Sequence, residues 1–169
     1  GVVLSLLQNG KLIEQISKTG DKFTLITNQT PFYGESGGQM GDVGMVETPH
    51  CKVRVVDTLK YLGKIIGHVC IIEEGIISKG DAVKLSIDNS HRKYLRMHHT
   101  ATHILHAVLR DVLGKHVTQK GSLVANDKLR FDISHPKALT LAEVKLVEQC
   151  VNQIIADNSK VLTALMSTD

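Results

Sequence analysis

Residues 89–114 read Asn89-Ser90-His91-Arg92-Lys93-Tyr94-Leu95-Arg96-Met97-His98-His99-Thr100-Ala101-Thr102-His103-Ile104-Leu105-His106-Ala107-Val108-Leu109-Arg110-Asp111-Val112-Leu113-Gly114. Leu95, Thr102, Leu105, Val108, Leu109 and Val112 recur at helical intervals, so the spacing predicts a helix running to about Leu113 with one apolar stripe. Asn89 or Ser90 is the expected cap, and Gly114 the stop. Four of the nine histidines fall between His98 and His106. His99 and His103 stand four apart, which places both imidazoles on one helix face. That arrangement can offer two neutral ring nitrogens to one metal ion, usually zinc. It serves equally as a polar helix face that carries histidines incidentally. His106 follows at the next helical interval, and His98 points about 100° away.

Before this helix the chain punctuates like a β-rich unit. Segments 12–16, 22–26, 44–47, 52–57, 64–70 and 81–87 are short and partly alternating, with turn signals at Asn9-Gly10, Thr19-Gly20-Asp21 and Lys79-Gly80-Asp81. Several short strands at this spacing suggest a small barrel or closed sheet. After the helix, residues 116–124 and 128–133 read as two strands joined by Ala125-Asn126-Asp127. Thr140-Leu141-Ala142-Glu143 is a capping box that opens a second helix to about Asn158. Leu141, Val144, Leu146, Val147, Val151, Ile154 and Ile155 are expected on its buried side. The expected class is therefore α+β. A small β-barrel-like unit spans residues 1–88, and an α+β core with two long helices packed on an antiparallel sheet spans 89–169.

The 169 residues fit one domain or two small ones, and 42% hydrophobic content is enough for a core. Aromatic residues make up only 4%, without tryptophan, so that core rests on Val, Ile and Leu. No apolar run approaches a membrane span, and the first residues lack a signal-peptide pattern, so no membrane partner is expected. Cys51, Cys70 and Cys150 are dispersed and form no CxxC pair, which points to reduced thiols in a cytoplasmic protein. Each is most simply a buried small hydrophobe.

The net charge of +3 is too small to imply a polyanion partner by itself, but its distribution is uneven. Residues 91–130 carry eight Lys/Arg against two Asp/Glu, while both flanking segments are slightly acidic. The histidine helix thus lies in the basic part of the chain, as suits a phosphate-bearing ligand. Each of these cations taken singly also reads as solvated surface.

Two further segments are candidates for chemistry. Thr30-Pro31-Phe32-Tyr33-Gly34-Glu35-Ser36-Gly37-Gly38-Gln39-Met40-Gly41-Asp42-Val43-Gly44 holds five glycines in eleven residues, which lets backbone approach a ligand closely and present N–H groups to an anion. It is neither a Walker loop nor a dinucleotide fingerprint, and a tight hairpin connection explains it equally. Gln119-Lys120-Gly121-Ser122 lies in the strand after the helix and reads otherwise as an exposed strand edge.

Together these segments resemble the alanyl-tRNA synthetase family. Thr30-Pro31-Phe32-Tyr33 through Gly44 is similar to its glycine-rich motif. His99-Thr100-Ala101-Thr102-His103 resembles the HxxxH zinc motif of its editing domain, a core shared with freestanding alanyl-tRNA editing proteins and threonyl-tRNA synthetase. Val117 through Val124, Leu129-Arg130-Phe131-Asp132, Ser134-His135 and the second helix continue the resemblance in order. Phe32-Tyr33-Gly34-Glu35-Ser36-Gly37-Gly38-Gln39 favours the synthetase over the freestanding proteins.

The resemblance implies hydrolysis of serine or glycine wrongly esterified to the tRNA for alanine. A synthetic site for alanine excludes neither the smaller glycine nor the near-isosteric serine strongly, so a second, hydrolytic site is needed. His99 and His103 are the implied metal ligands. Thr102 and Gln119 are the implied pocket residues. Gly37, Gly38 and Gln39 are expected at the 3′ end of the tRNA, with Arg92, Arg96 and Lys120 at its phosphates. The implied partners are this tRNA and the remainder of the parent synthetase, whose aminoacylation domain would use ATP and magnesium. The family completes its zinc site with a later CxxxH pair. Cys150 is followed at the fourth position by Ile154, so the expectation is an excised fragment with two of four ligands, inactive or weakly active alone. A freestanding trans-editing deacylase and a non-catalytic tRNA-binding module stand as alternatives. Whether zinc activates water or orients the substrate stays open, as do roles for His98, His106, His116 and His135.

Overall fold

β6 (Cys51–Tyr61) and β7 (Ile65–Gly75) form the longest hairpin and show why this sequence makes sheet. Cys51, Val53 and Val55 alternate inward between exposed Lys52 and Arg54, the period-2 pattern that β-branched residues favour. Opposite them Cys70 and Ile72 of β7 are fully buried. At Val56 the register slips by one residue, pairing Val55 with Cys70 but Asp57 with Val69. This bulge shifts the inward parity, so Thr58 becomes the buried residue further along β6. The computed structural model that shows this describes residues 1–162 and 164–166, and the last residues of the expected 89–169 core lie outside them.

The chain groups into two compact units: Gly1–His99 with Ser122–Arg130, and Thr100–Gly121 with the residues from Phe131 onward. In the first unit β1 (Val3–Gln8), β2 (Lys11–Ile13), β4 (Lys22–Thr27), β5 (Gly44–Thr48), β6, β7 and β9 (Lys84–Ile87) form an antiparallel sheet in the order β2-β1-β4-β7-β6-β5-β9. β3 (Gln15–Ile16) and β8 (Ile77–Ser78) pair separately. The backbone just before β9 returns to the start of the chain: Val3 N donates to Asp81 O at 2.9 Å and Val83 N to Gly1 O at 2.8 Å. The core includes Leu6, Phe23, Leu25, Phe32, Val46, Val53 and Ile72.

β1 was not among the expected strands. Val2-Val3-Leu4-Ser5-Leu6-Leu7 is an apolar run without alternation, because a bulge after Val3 puts both Val3 and Leu6 inside.

α1 (Asn89–Leu113) has the expected extent, but its cap is Asp88 rather than Asn89 or Ser90. The Asp88 carboxylate accepts Ser90 N at 2.8 Å and His91 N at 3.0 Å, and its negative charge suits the positive helix end. Gly114, at φ +116°, closes the helix.

In the second unit, Val108, Leu109 and Val117 pack with Val147 of α2 (Leu141–Ala156) and with Phe131 and Ile133 of β11 (Leu129–Ile133), the partner strand of β10 (Gln119–Val124). Thr140 caps α2 with the full capping box: its hydroxyl accepts Glu143 N, and the Glu143 carboxylate accepts Thr140 N. The expected buried side of α2 is corrected. Val147 is buried there and Val151 is half-buried against the same core, whereas Leu141 is 82% exposed and Val144, Leu146, Ile154 and Ile155 are also exposed. Periodicity reports which face of a helix is apolar, not how much protein covers it.

Candidate functional site

The glycine-rich segment 30–44 is irregular, and its shape follows from where a side chain would not fit. Gly37 and Gly38 occupy positive φ, +60° and +84°, in a tight reversal closed by Ser36 N to Gln39 O (3.2 Å) and Gln39 N to Ser36 O (3.0 Å). A Cβ at Gly38 would lie 2.4 Å from Ser122 O, and one at Gly41 would lie 2.1 Å from Thr58 O. Here the missing side chains admit the protein's own backbone. Val124 N donates to Gly38 O at 2.7 Å and Met40 N to Val124 O at 3.0 Å, fixing residues 38–40 against the end of β10.

Asp42 anchors the other end of the segment. Its carboxylate is buried and accepts Tyr33 N at 2.6 Å, and its carbonyl accepts the Thr58 hydroxyl at 2.7 Å. Arg92 of α1 donates through Nε to Oδ1 at 2.7 Å and through Nη2 to Oδ2, with a further bond from Nη2 to Pro31 O at 3.1 Å. The carboxylate holds the guanidinium pKa above its ordinary value, chiefly through this hydrogen-bonded pairing. Arg92, expected at a tRNA phosphate, is thus engaged by the loop itself.

Below the loop, His68 of β7 is fully buried. Its Nδ1–H donates to Leu25 O at 2.9 Å, so Nε2 accepts the Thr30 hydroxyl at 2.8 Å, and Thr30 Oγ1 in turn accepts Phe32 N at 3.0 Å. The Phe32 ring meets the imidazole edge-on, with centroids 5.1 Å apart. Burial lowers the His68 pKa and keeps the ring neutral.

α1 carries the histidine run. His99 and His103 are exposed one turn apart, and Thr102 is 7% exposed on the stripe facing inward. His98 Nδ1–H donates to Ala125 O at 2.7 Å. His99 Nδ1–H donates to the side-chain oxygen of Gln39 at 2.6 Å, and Gln39 itself is 7% exposed. Gln39, expected at the end of the tRNA, therefore bonds a histidine of the candidate metal pair. Donation from Nδ1 puts the His99 lone pair on Nε2, the form in which an imidazole binds a metal. Two exposed imidazoles at this spacing fit two positions of a tetrahedral zinc site. Among the described residues, no group of three His, Cys, Asp or Glu is placed to hold a metal.

The other expected residues stand separately. Arg96 is exposed on α1, and Gln119 and Lys120 are exposed at the start of β10. His106 stacks at a tilt on Phe131, and His116 Nε2 lies 3.0 Å from His135 Nδ1. The roles of Asp42 and His68 were missed. A lone Asp in a glycine loop and a lone His in an apolar strand carry no local pattern that distinguishes them.

A family profile described as tRNA synthetases class II (A) matches residues 1–91. The chain is 56% identical over its whole length to the alanine–tRNA ligase of Rickettsia bellii, and covers 19% of that protein. It is also 56% identical, over 99% of its length, to the alanine–tRNA ligases of Rickettsia rickettsii and Rickettsia felis. The chain spans about a fifth of the length of these curated relatives. It belongs to the class II (A) tRNA synthetase family, as a segment of the alanine–tRNA ligase kind.

Proposed function

We propose that this chain carries part of the editing machinery of an alanine–tRNA ligase, which hydrolyses the ester of serine or glycine wrongly attached to the tRNA for alanine. The observation that carries the reading is the pair His99 and His103, one helical turn apart, with His99 held by Gln39 of the glycine-rich segment. In this reading residues 1–88 form the barrel-like unit and residues 89–169 belong to the editing core. His99 and His103 hold zinc together with ligands from elsewhere in the parent protein, which also supplies the ATP- and magnesium-dependent ligation. Bound zinc supplies Lewis acidity, to activate water or to orient the aminoacyl group.

The chain's own residues do the positioning. Thr102, beside His103 on the helix, and Gln119 line the pocket for the wrong amino acid. A hydroxyl in such a pocket can recognise the serine hydroxyl that alanine lacks, a discrimination by hydrogen bonding rather than by size. Gly37 and Gly38 present backbone towards the 3′ end of the tRNA, with Arg96 and Lys120 at its phosphates. Arg92, held by Asp42, keeps the loop in place. The working compartment in this reading is the cytoplasm, and no helix among the described residues is long and apolar enough to cross a membrane.

A second reading, a non-catalytic tRNA-binding segment, is favoured by the excess of Lys and Arg over Asp and Glu across residues 91–130. The two separate in the full-length ligase, assayed for deacylation of Ser-tRNA and for aminoacylation. H99A/H103A is expected to lose deacylation by about a hundredfold or more while aminoacylation persists. Undiminished deacylation in that variant overturns the editing reading in favour of the binding one.

A further inference from the structure

We infer that Gln39 is a positioning residue for the metal site: its side-chain oxygen selects the tautomer and ring orientation of His99 in which Nε2 can ligate. The inference rests on the reading of His99 and His103 as zinc ligands, and goes beyond it by giving the glycine-rich segment a task at the metal.

The geometry is specific. An amide oxygen accepts and never donates, so the 2.6 Å contact with His99 Nδ1 requires the proton on that nitrogen. In water a neutral imidazole exchanges between two tautomers and rotates about its χ angles. A fixed acceptor removes both freedoms before the metal arrives. The acceptor is fixed here because Gln39 is 7% exposed and its backbone is bonded in both directions to Ser36. The adjacent bonds of Gly38 and Met40 to Val124 hold this irregular segment in place. Close approach at this point requires Gly38, since a Cβ there would meet Ser122 O at 2.4 Å. An exposed loop built to meet RNA alone has no need to bury a glutamine beneath an imidazole.

The test uses this chain, metal-free and 15N-labelled at histidine, with zinc alone as the probe. At mildly alkaline pH the His99 ring, assigned by its loss in H99A, is expected to show a protonated Nδ1 and an unprotonated Nε2. Q39L is expected to show a mixture of tautomers and zinc binding weakened by about 10- to 100-fold. Q39E, which keeps an acceptor oxygen, restores both. A purely structural role would not move the tautomer or separate Q39L from Q39E. A protonated Nε2 in the wild-type chain overturns the inference even if Q39L fails to fold. So does a Q39L variant with unchanged tautomer and zinc affinity, and that result leaves the two histidines as ligands. Zinc binding that survives H99A/H103A overturns the ligand reading and this inference with it.

Discussion

Arg92 and Asp42, fifty residues apart in sequence, form a two-point ion pair in which the carboxylate is 1% exposed and the guanidinium 27%. The pair ties the first turn of α1 to the glycine-rich segment. Asp42 also accepts Tyr33 N, so the carboxylate is satisfied from two sides. A buried carboxylate stripped of its cation is costly, whatever the net worth of the intact pair. R92A is expected to destabilise the protein by about 3 kcal/mol, measured by urea denaturation. R92K should recover less than half of this, because an ammonium cannot reproduce the two-point geometry. A loss below about 1 kcal/mol, the worth of a surface pair, would show that the carboxylate is better solvated than its burial indicates.

The glycines of the loop differ in kind. Gly37 needs only its positive φ, and a Cβ there would meet nothing within 4 Å. G37A is expected to cost about 1 kcal/mol in thermal or urea unfolding, the ordinary price of a left-handed alanine. Gly38 needs both its φ and the empty space beside Ser122 O. G38A should therefore cost at least twice as much and disturb His99 as well, visible as a shift of its imidazole resonances. Equal costs for the two variants would contradict the packing described for Gly38.

His68 predicts a dependence on pH. Its folded pKa is lowered, by burial first, so the unfolded state takes up a proton more readily than the folded state. Its contribution to stability is complete above the unfolded pKa and is lost as pH falls from there towards the folded value. The melting temperature should therefore decline between pH 7 and 5 with a component that H68Q lacks. H68Q should be less stable at pH 7, since it cannot reproduce both the Leu25 and the Thr30 bonds, and the gap should narrow on acidification. Parallel melting curves for the two proteins would refute a neutral, buried His68.

Some elements were legible because their determinants are local. The extent of α1 follows from its apolar stripe and Gly114, and α2 from the Thr140–Glu143 capping box, both readable within a few residues. The alternating strand β4 is placed within one residue of both ends for the same reason, whereas the expected segments 52–57 and 64–70 begin within one residue of β6 and β7 but stop four and five residues short of Tyr61 and Gly75. Bulges defeat that reading, since the inserted residue at Val56 and the one after Val3 break the alternation which identifies a strand. The cap at Asp88 escaped because Asn89 and Ser90 are equally good cap types, and only the backbone path shows which of three polar residues turns its side chain back.

What the sequence by itself determined is the α+β class, the placing of His99 and His103 on one helix face, and the kinship carried by its separated motifs. Only the tertiary structure decided that Arg92 belongs to Asp42, that Gln39 belongs to His99 across sixty residues, and that α2 leaves Leu141 and Ile155 exposed. The physical reason is range. Periodicity, caps and turns depend on atoms within one helical turn or one strand repeat, so a short stretch contains them. Ion pairing, tautomer choice and burial depend on which distant segment arrives alongside, and neither partner's own neighbourhood encodes the other.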